Sequence, residues 1–178
     1  MPSRAALANG TFGLGFEFED FHTWAGMHPE SFTVPAALAA AELQKTSGKA
    51  LINAVVAGHE VAPRVRMASD KTLGGVGLMV RGLYPQAIFG GFGAAAASGV
   101  ILGLSGEQMA IAFGLAGEQA GGTMDSHKEG AWSRRIHSGH AAEGAYPRRC
   151  SRRKDSWDRD RSLTASKIYI KRWRCSTT

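Results

Sequence analysis

Apolar positions recur at helical spacing along most of the chain up to Gly144. No stretch alternates apolar and polar side chains with the β-branched enrichment of a half-buried strand. The pattern predicts an all-α region. A first helix is expected over residues 5–16 and a second over 32–45, where Pro35 is tolerable because it falls in the first turn. Ser47 is placed to cap a third helix reaching about residue 66, since its hydroxyl can accept an orphan backbone N–H. Residues 69–83 contain Gly74, Gly75, Gly77 and Gly82 and read as a loop. An alanine- and glycine-rich helix follows over 85–102. Ser105-Gly-Glu-Gln108 then has capping-box spacing for a helix ending near Gly121-Gly122.

After Gly144 the periodicity stops. The 178-residue chain carries a net +6, but residues 147–174 alone hold 11 Lys/Arg against three Asp, about +8 locally, so the preceding part is near −2. The basic character belongs to residues 145–178, which show no apolar face and are expected to be largely disordered. Both cysteines, Cys150 and Cys175, lie there and form no Cys-x-x-Cys pair, which argues against a zinc site or a disulfide framework and makes a reducing cytoplasm the default. Met1-Pro-Ser-Arg-Ala-Ala has no apolar signal-peptide core. The uncharged segment 86–104 approaches membrane-spanning length. Its five glycines and many alanines make a closely packed buried helix the expected reading, with no membrane partner. Gly74-Gly-Val-Gly77 lacks the Lys-Ser/Thr of a phosphate loop and reads as a turn.

The chemistry concentrates in Gly15-Phe-Glu-Phe-Glu-Asp-Phe-His-Thr-Trp-Ala-Gly-Met-His-Pro-Glu30, which sets Glu17, Glu19, Asp20, His22 and His28 between two helical patterns. Carboxylates and imidazoles on one loop are the groups that proton transfer needs. This segment resembles the Asp-Phe-Asp-Asp and His-Pro-Ser blocks of the MmgE/PrpD family, which includes 2-methylcitrate dehydratase and cis-aconitate decarboxylase. The resemblance continues in order through Ser47-Gly-Lys-Ala-Leu-Ile-Asn-Ala-Val-Val-Ala-Gly-His-Glu60, Arg81-Gly-Leu-Tyr-Pro-Gln-Ala, Leu102-Gly-Leu-Ser105, Ala110-Ile-Ala-Phe-Gly-Leu-Ala-Gly-Glu-Gln-Ala-Gly-Gly122 and Arg134-Arg-Ile-His-Ser-Gly-His-Ala-Ala142, and ends near Gly144.

The resemblance implies catalytic roles for Glu17, His22, His28 and Tyr84, and substrate binding by Arg134 and His137. It implies no metal and no other cofactor. His28 stands at the active-site histidine of His-Pro-Ser, and Glu17 at the first Asp of Asp-Phe-Asp-Asp, where its extra methylene moves the carboxylate by about an ångström. His22 lies where the family has Thr or His. Tyr84 replaces a histidine; it can donate a hydrogen bond to a carboxylate but, with an ordinary pKa near 10, it shuttles protons poorly. Arg134 replaces a lysine and keeps carboxylate binding without acid/base capacity. Glu19 and Asp20 are expected to cap a helix or face solvent. His137 and His140 have ligand-like spacing but no evident third ligand.

The implied activity is a dehydratase, decarboxylase or isomerase acting on a small di- or tricarboxylic acid, in a cytoplasmic homodimer whose helical domain (residues 1–144) is the central part of the family's and carries only part of the catalytic kit. Two other readings stand beside it: a non-catalytic remnant of a disrupted gene, and a nucleic-acid binder using the basic tail with Trp157 and Trp173, although no specific nucleic acid is expected there because Asp155, Asp158 and Asp160 interrupt its charge. A frameshift soon after Gly144 would account for the tail. Trp157 followed by Asp158 forces a Gly in an alternative frame whose codons permit Gly-Phe-Leu-Gly-Pro, the turn that family members have at about this distance.

Overall fold

The computed structural model of the protein describes residues 2–69 and 76–144; the basic segment 145–178, with the disorder and frameshift expected of it, lies outside the described residues. The chain forms α1 (Pro2–Gly13), α2 (Glu30–Gln44), α3 (Gly48–Ser69), α4 (Val76–Val80), α5 (Pro85–Leu102), α6 (Gly106–Glu118), α7 (Asp125–Lys128), a 3₁₀ turn (Trp132–Arg135) and α8 (Ile136–Gly144). The described region is all-α, with isolated antiparallel bridges joining His22 to Met27 and Leu83 to Thr123.

Helix α5 is the axis of the bundle and touches α2, α3, α6 and α8, while α1 packs on α2 and α8. Small residues make this possible. Gly90, Gly93, Ala94, Ala95, Ala96, Ala97, Ser98 and Gly99 are all buried on α5, facing a run of buried alanines on α2 and Ala54, Gly58 and Ala62 on α3. The Phe32 ring, fully buried, fills the gap left by two of these glycines. A Cβ on Gly90 would lie 2.9 Å from Phe32 Cδ1, and one on Gly93 would lie 2.9 Å from Phe32 Cε2 and 3.0 Å from the Gly58 carbonyl. Burying a phenylalanine contributes roughly 1.5–3 kcal/mol, and here that gain depends on backbones close enough to enclose the ring. By length and composition α5 could cross a membrane; 61% of it is buried inside the domain.

Local signals account for several boundaries. Pro85 opens α5 and Gly103, at φ 64°, closes it in the left-handed region. Ser105 and Gln108 form a complete capping box on α6, and the Ser47 hydroxyl accepts the Ala50 N–H at 3.3 Å at the start of α3. Helix α2 differs from expectation. It begins at Glu30, so Pro35 lies in its second turn, where the Ser31 carbonyl loses its usual N–H partner. Helix α1 ends at Gly13 rather than near residue 16, and the predicted loop 69–83 contains the short helix α4.

Gly93→Ala gains roughly 1 kcal/mol of helix propensity but drives a methyl to 2.8 Å from Ala62 Cβ. Overpacking a close crossing costs about 1–3 kcal/mol, so the net effect is expected to be destabilising. Gly106→Ala, whose Cβ meets nothing within 4 Å, should be neutral or slightly stabilising. Urea unfolding followed by circular dichroism checks both, and equal stability of the two variants would contradict this packing.

Candidate active site

Two arginines of the 3₁₀ turn hold the loop that follows α1. Arg135 donates from Nε to the Gly15 carbonyl at 2.8 Å while its guanidinium lies 4.2 Å over the Trp132 ring. Two residues further on, Glu17 adopts a left-handed backbone, φ 59°, and its carboxylate pairs with Arg134. That conformation costs a non-glycine residue about 1–2 kcal/mol, and an observed cost of this kind points to a site.

Arg134 also donates from Nη1 to His127 Nε2 at 3.0 Å. An arginine can only donate, so Nε2 accepts and the His127 ring is neutral with its proton on Nδ1. Burial agrees, holding His127 below the usual histidine range. The His127 ring lies 4.6 Å from that of Tyr84, and the His137 ring lies 5.2 Å from it. Tyr84 is fixed by the bridge before α5: its N–H donates to the Gly122 carbonyl at 3.1 Å, and the Met124 N–H donates to Gly82 at 2.8 Å. Burial, reinforced by the charge of Glu19, pushes the Tyr84 phenol well above its ordinary range. His137 is lowered by burial, with the neighbouring His140 and His127 acting the same way, and burial together with adjacent Arg135 lowers Arg134.

The Glu19 side chain is 3% exposed, and both carboxylate oxygens are buried without a hydrogen-bond partner among the described residues. His28 Nδ1 lies 3.5 Å from Glu19 Oε1. His28 Nδ1 lies 2.7 Å from the Asp20 carbonyl, a pure acceptor, so Nδ1 carries the proton and Nε2 is bare when the ring is neutral. The assignment of Glu19 to solvent or a helix cap is corrected here. Phe16 and Phe18 are 81% and 95% exposed, so the Phe-Glu-Phe-Glu alternation is inverted, with aromatics outward and the Glu19 carboxylate inward.

Glu17, Arg134, His127, Tyr84 and His137 therefore fall on one chain of contacts; the Glu19 charge acts on Tyr84, and Glu19 lies 3.5 Å from His28. His22 falls elsewhere. Its Nδ1 accepts the Ala25 N–H at 3.2 Å, and with Asp20, His59 and Arg64 it lines a separate hollow of about 260 Å³. Asp20 does serve as a cap: its Oδ1 accepts the Glu30 N–H at 2.9 Å. Glu19, His127 and His59 were not selected from sequence. His59 lies within the family-like segment 47–60, whereas His127 follows a glycine pair with no chemical pattern around it.

The assembled groups can bind one carboxylate through Arg134 and move a proton beside it. Residues 1–146 match the model of the MmgE/PrpD N-terminal domain. This chain belongs to the MmgE/PrpD family. Among its relatives, a cis-aconitate decarboxylase-like protein of Aspergillus oryzae is 38% identical over 152 residues, 82% of this chain and 31% of the relative. Cis-aconitate decarboxylase of Aspergillus terreus is 34% identical over 146 residues, 79% of this chain and 29% of the enzyme. The MmgE/PrpD chain described here thus spans about a third of the length of these relatives.

The lowered His127 and His137 set a pH dependence. The unfolded chain, with histidines near 6.5, takes up protons before the folded one does. The stability these two residues contribute is fully present above about 6.5 and is lost as pH falls through their depressed folded values. The melting-temperature difference between wild type and the double variant His127→Gln/His137→Gln should therefore shift against wild type as pH is lowered from about 8 to 5. A difference that stays constant would contradict the partly buried, neutral rings.

Proposed function

We propose that this site takes a small di- or tricarboxylic acid and serves MmgE/PrpD-type lyase or isomerase chemistry on it: dehydration, decarboxylation or isomerisation. Arg134 holds one substrate carboxylate, exchanging its Glu17 partner for it, and Tyr84 and His137 line the same side. Glu19 and His28 are the proton-transfer pair. The carrying observation is the Glu19 carboxylate, whose two buried oxygens accept no hydrogen bond among the described residues, 3.5 Å from Nδ1 of a histidine whose Nε2 is bare. A buried carboxylate that accepts no hydrogen bond is costly unless something else meets it, and an incoming hydroxyl or acidic C–H would do so. The names of the two fungal relatives, a cis-aconitate decarboxylase and a protein like it, favour the same substrate class.

The 178-residue chain is expected to turn over weakly or not at all. Arg134 cannot release its proton, and the raised Tyr84 makes a poor acid at neutral pH. The site is also open: Phe16, Phe18 and Trp132 beside the ion pair are 81%, 95% and 72% exposed, so the described residues do not exclude water there. That openness favours a second reading, a non-catalytic remnant that retains binding.

Calorimetric titration of the full chain with citrate, as a tricarboxylate probe, should detect binding, and Arg134→Gln should weaken it about ten- to a hundredfold through loss of a charge-assisted hydrogen bond. Unchanged affinity in that variant would refute the assignment of Arg134. Carbon dioxide release from cis-aconitate should stay far below an ordinary enzymatic rate of about 10 s⁻¹; turnover at that rate would show that Glu19 and His28 suffice without further groups.

A further inference from the structure

His59 lines the 260 Å³ hollow, and its ring nitrogens meet acceptors. Its Nδ1 lies 3.0 Å from the Val55 carbonyl and 3.1 Å from Thr33 Oγ1. The Thr33 hydroxyl spends its own proton on the Pro29 carbonyl at 2.6 Å, so toward His59 it accepts. Nε2 lies 3.0 Å from Asp20 Oδ2. A neutral imidazole has one donor and one acceptor nitrogen, and either tautomer would turn a lone pair toward an oxygen lone pair. Only the doubly protonated ring satisfies all three neighbours.

The charged and titratable groups around the ring agree with that count. Asp20 from the loop and Glu30 from the start of α2 are negative, His22 lines the same hollow, and on α3 itself Glu60 and Arg64 pair with each other. Burial works against a charge here, and the Asp20 hydrogen bond outweighs it, raising His59 above the usual histidine range.

Asp20 passes this contact on. One carboxylate oxygen takes His59, the other takes the Glu30 N–H, and the Asp20 N–H reaches Glu30 Oε2 at 3.3 Å, so the residue is fixed to both α3 and α2. Its carbonyl is the acceptor, 2.7 Å away, that keeps the His28 proton on Nδ1. We propose that His59 is a positioning residue: held as an imidazolium, it ties Asp20 to α3 and thereby keeps His28 in the tautomer that leaves Nε2 free. The functional consequence rests on reading His28 as a proton-transfer group; the protonation states do not.

Ring ¹⁵N NMR of the labelled full chain tests the proposal without needing turnover. At about pH 7.5, where an ordinary histidine is neutral, wild-type His59 should show two protonated ring nitrogens, and His28 should show a proton on Nδ1 and a bare Nε2. In Asp20→Asn the His59 titration should move to lower pH and the ring should become neutral at that pH. In His59→Gln, with helix content checked by circular dichroism, the Nδ1–H form of His28 should lose its dominance. Asp20→Asn, which keeps size and the Glu30 contact, carries the test if His59→Gln fails to fold. A neutral His59 in wild type, an unshifted titration in Asp20→Asn, or an unchanged His28 tautomer in folded His59→Gln would overturn it. None of these results depends on citrate binding or carbon dioxide release, so failure of this inference is distinguishable from failure of the proposed function.

Discussion

The approach of α3 to α5 at Gly58 and Gly93, with the Phe32 ring closing the gap against Gly90 and Gly93, is the constraint on which the other placements depend. A side chain at either crossing glycine would push two helices apart. The same two helices carry residues that shape the site: α5 begins immediately after Tyr84, and α3 presents His59 to Asp20. Phe32 belongs to α2, whose start is capped by that same aspartate. Packing in the core and position in the loop are therefore linked through Asp20.

The site combines two electrostatic regimes. Toward the surface, exposed Glu17 and partly buried Arg134 neutralise each other, where an incoming carboxylate can replace one anion with another at little net cost in charge. Glu19 accepts no hydrogen bond among the described residues, and neutral His127 and the raised Tyr84, their rings 4.6 Å apart, keep their protons. In the function proposed above, substrate holding falls to an arginine that cannot lose its proton and proton transfer to a carboxylate that accepts no hydrogen bond.

How much of this was legible in sequence follows from the range of the interactions. The ends of α5 and the start of α6 are set by residues at the ends themselves, Pro85, Gly103, Ser105 and Gln108, and these were readable. The start of α2 was not, because its cap is Asp20, ten residues upstream, rather than a residue beside Glu30. Glu17, His28, Tyr84, Arg134 and His137 could be named from family blocks. Glu19 could not be told from a surface acid, since which side of the Phe-Glu alternation faces inward is decided by Arg135 gripping Gly15 and by the bundle behind it. His127 and His59 draw their meaning from partners seven and 39 residues away, Arg134 and Asp20, that no local spacing reveals.

A crystal structure of the chain with a bound tricarboxylate would test the central claim most directly. The account predicts one ligand carboxylate on Arg134, with Glu17 turned away, and the ligand body against Glu19 and His28 Nε2. Density in the hollow beside His59 and His22 instead, or a Glu19 side chain turned out to solvent, would contradict it.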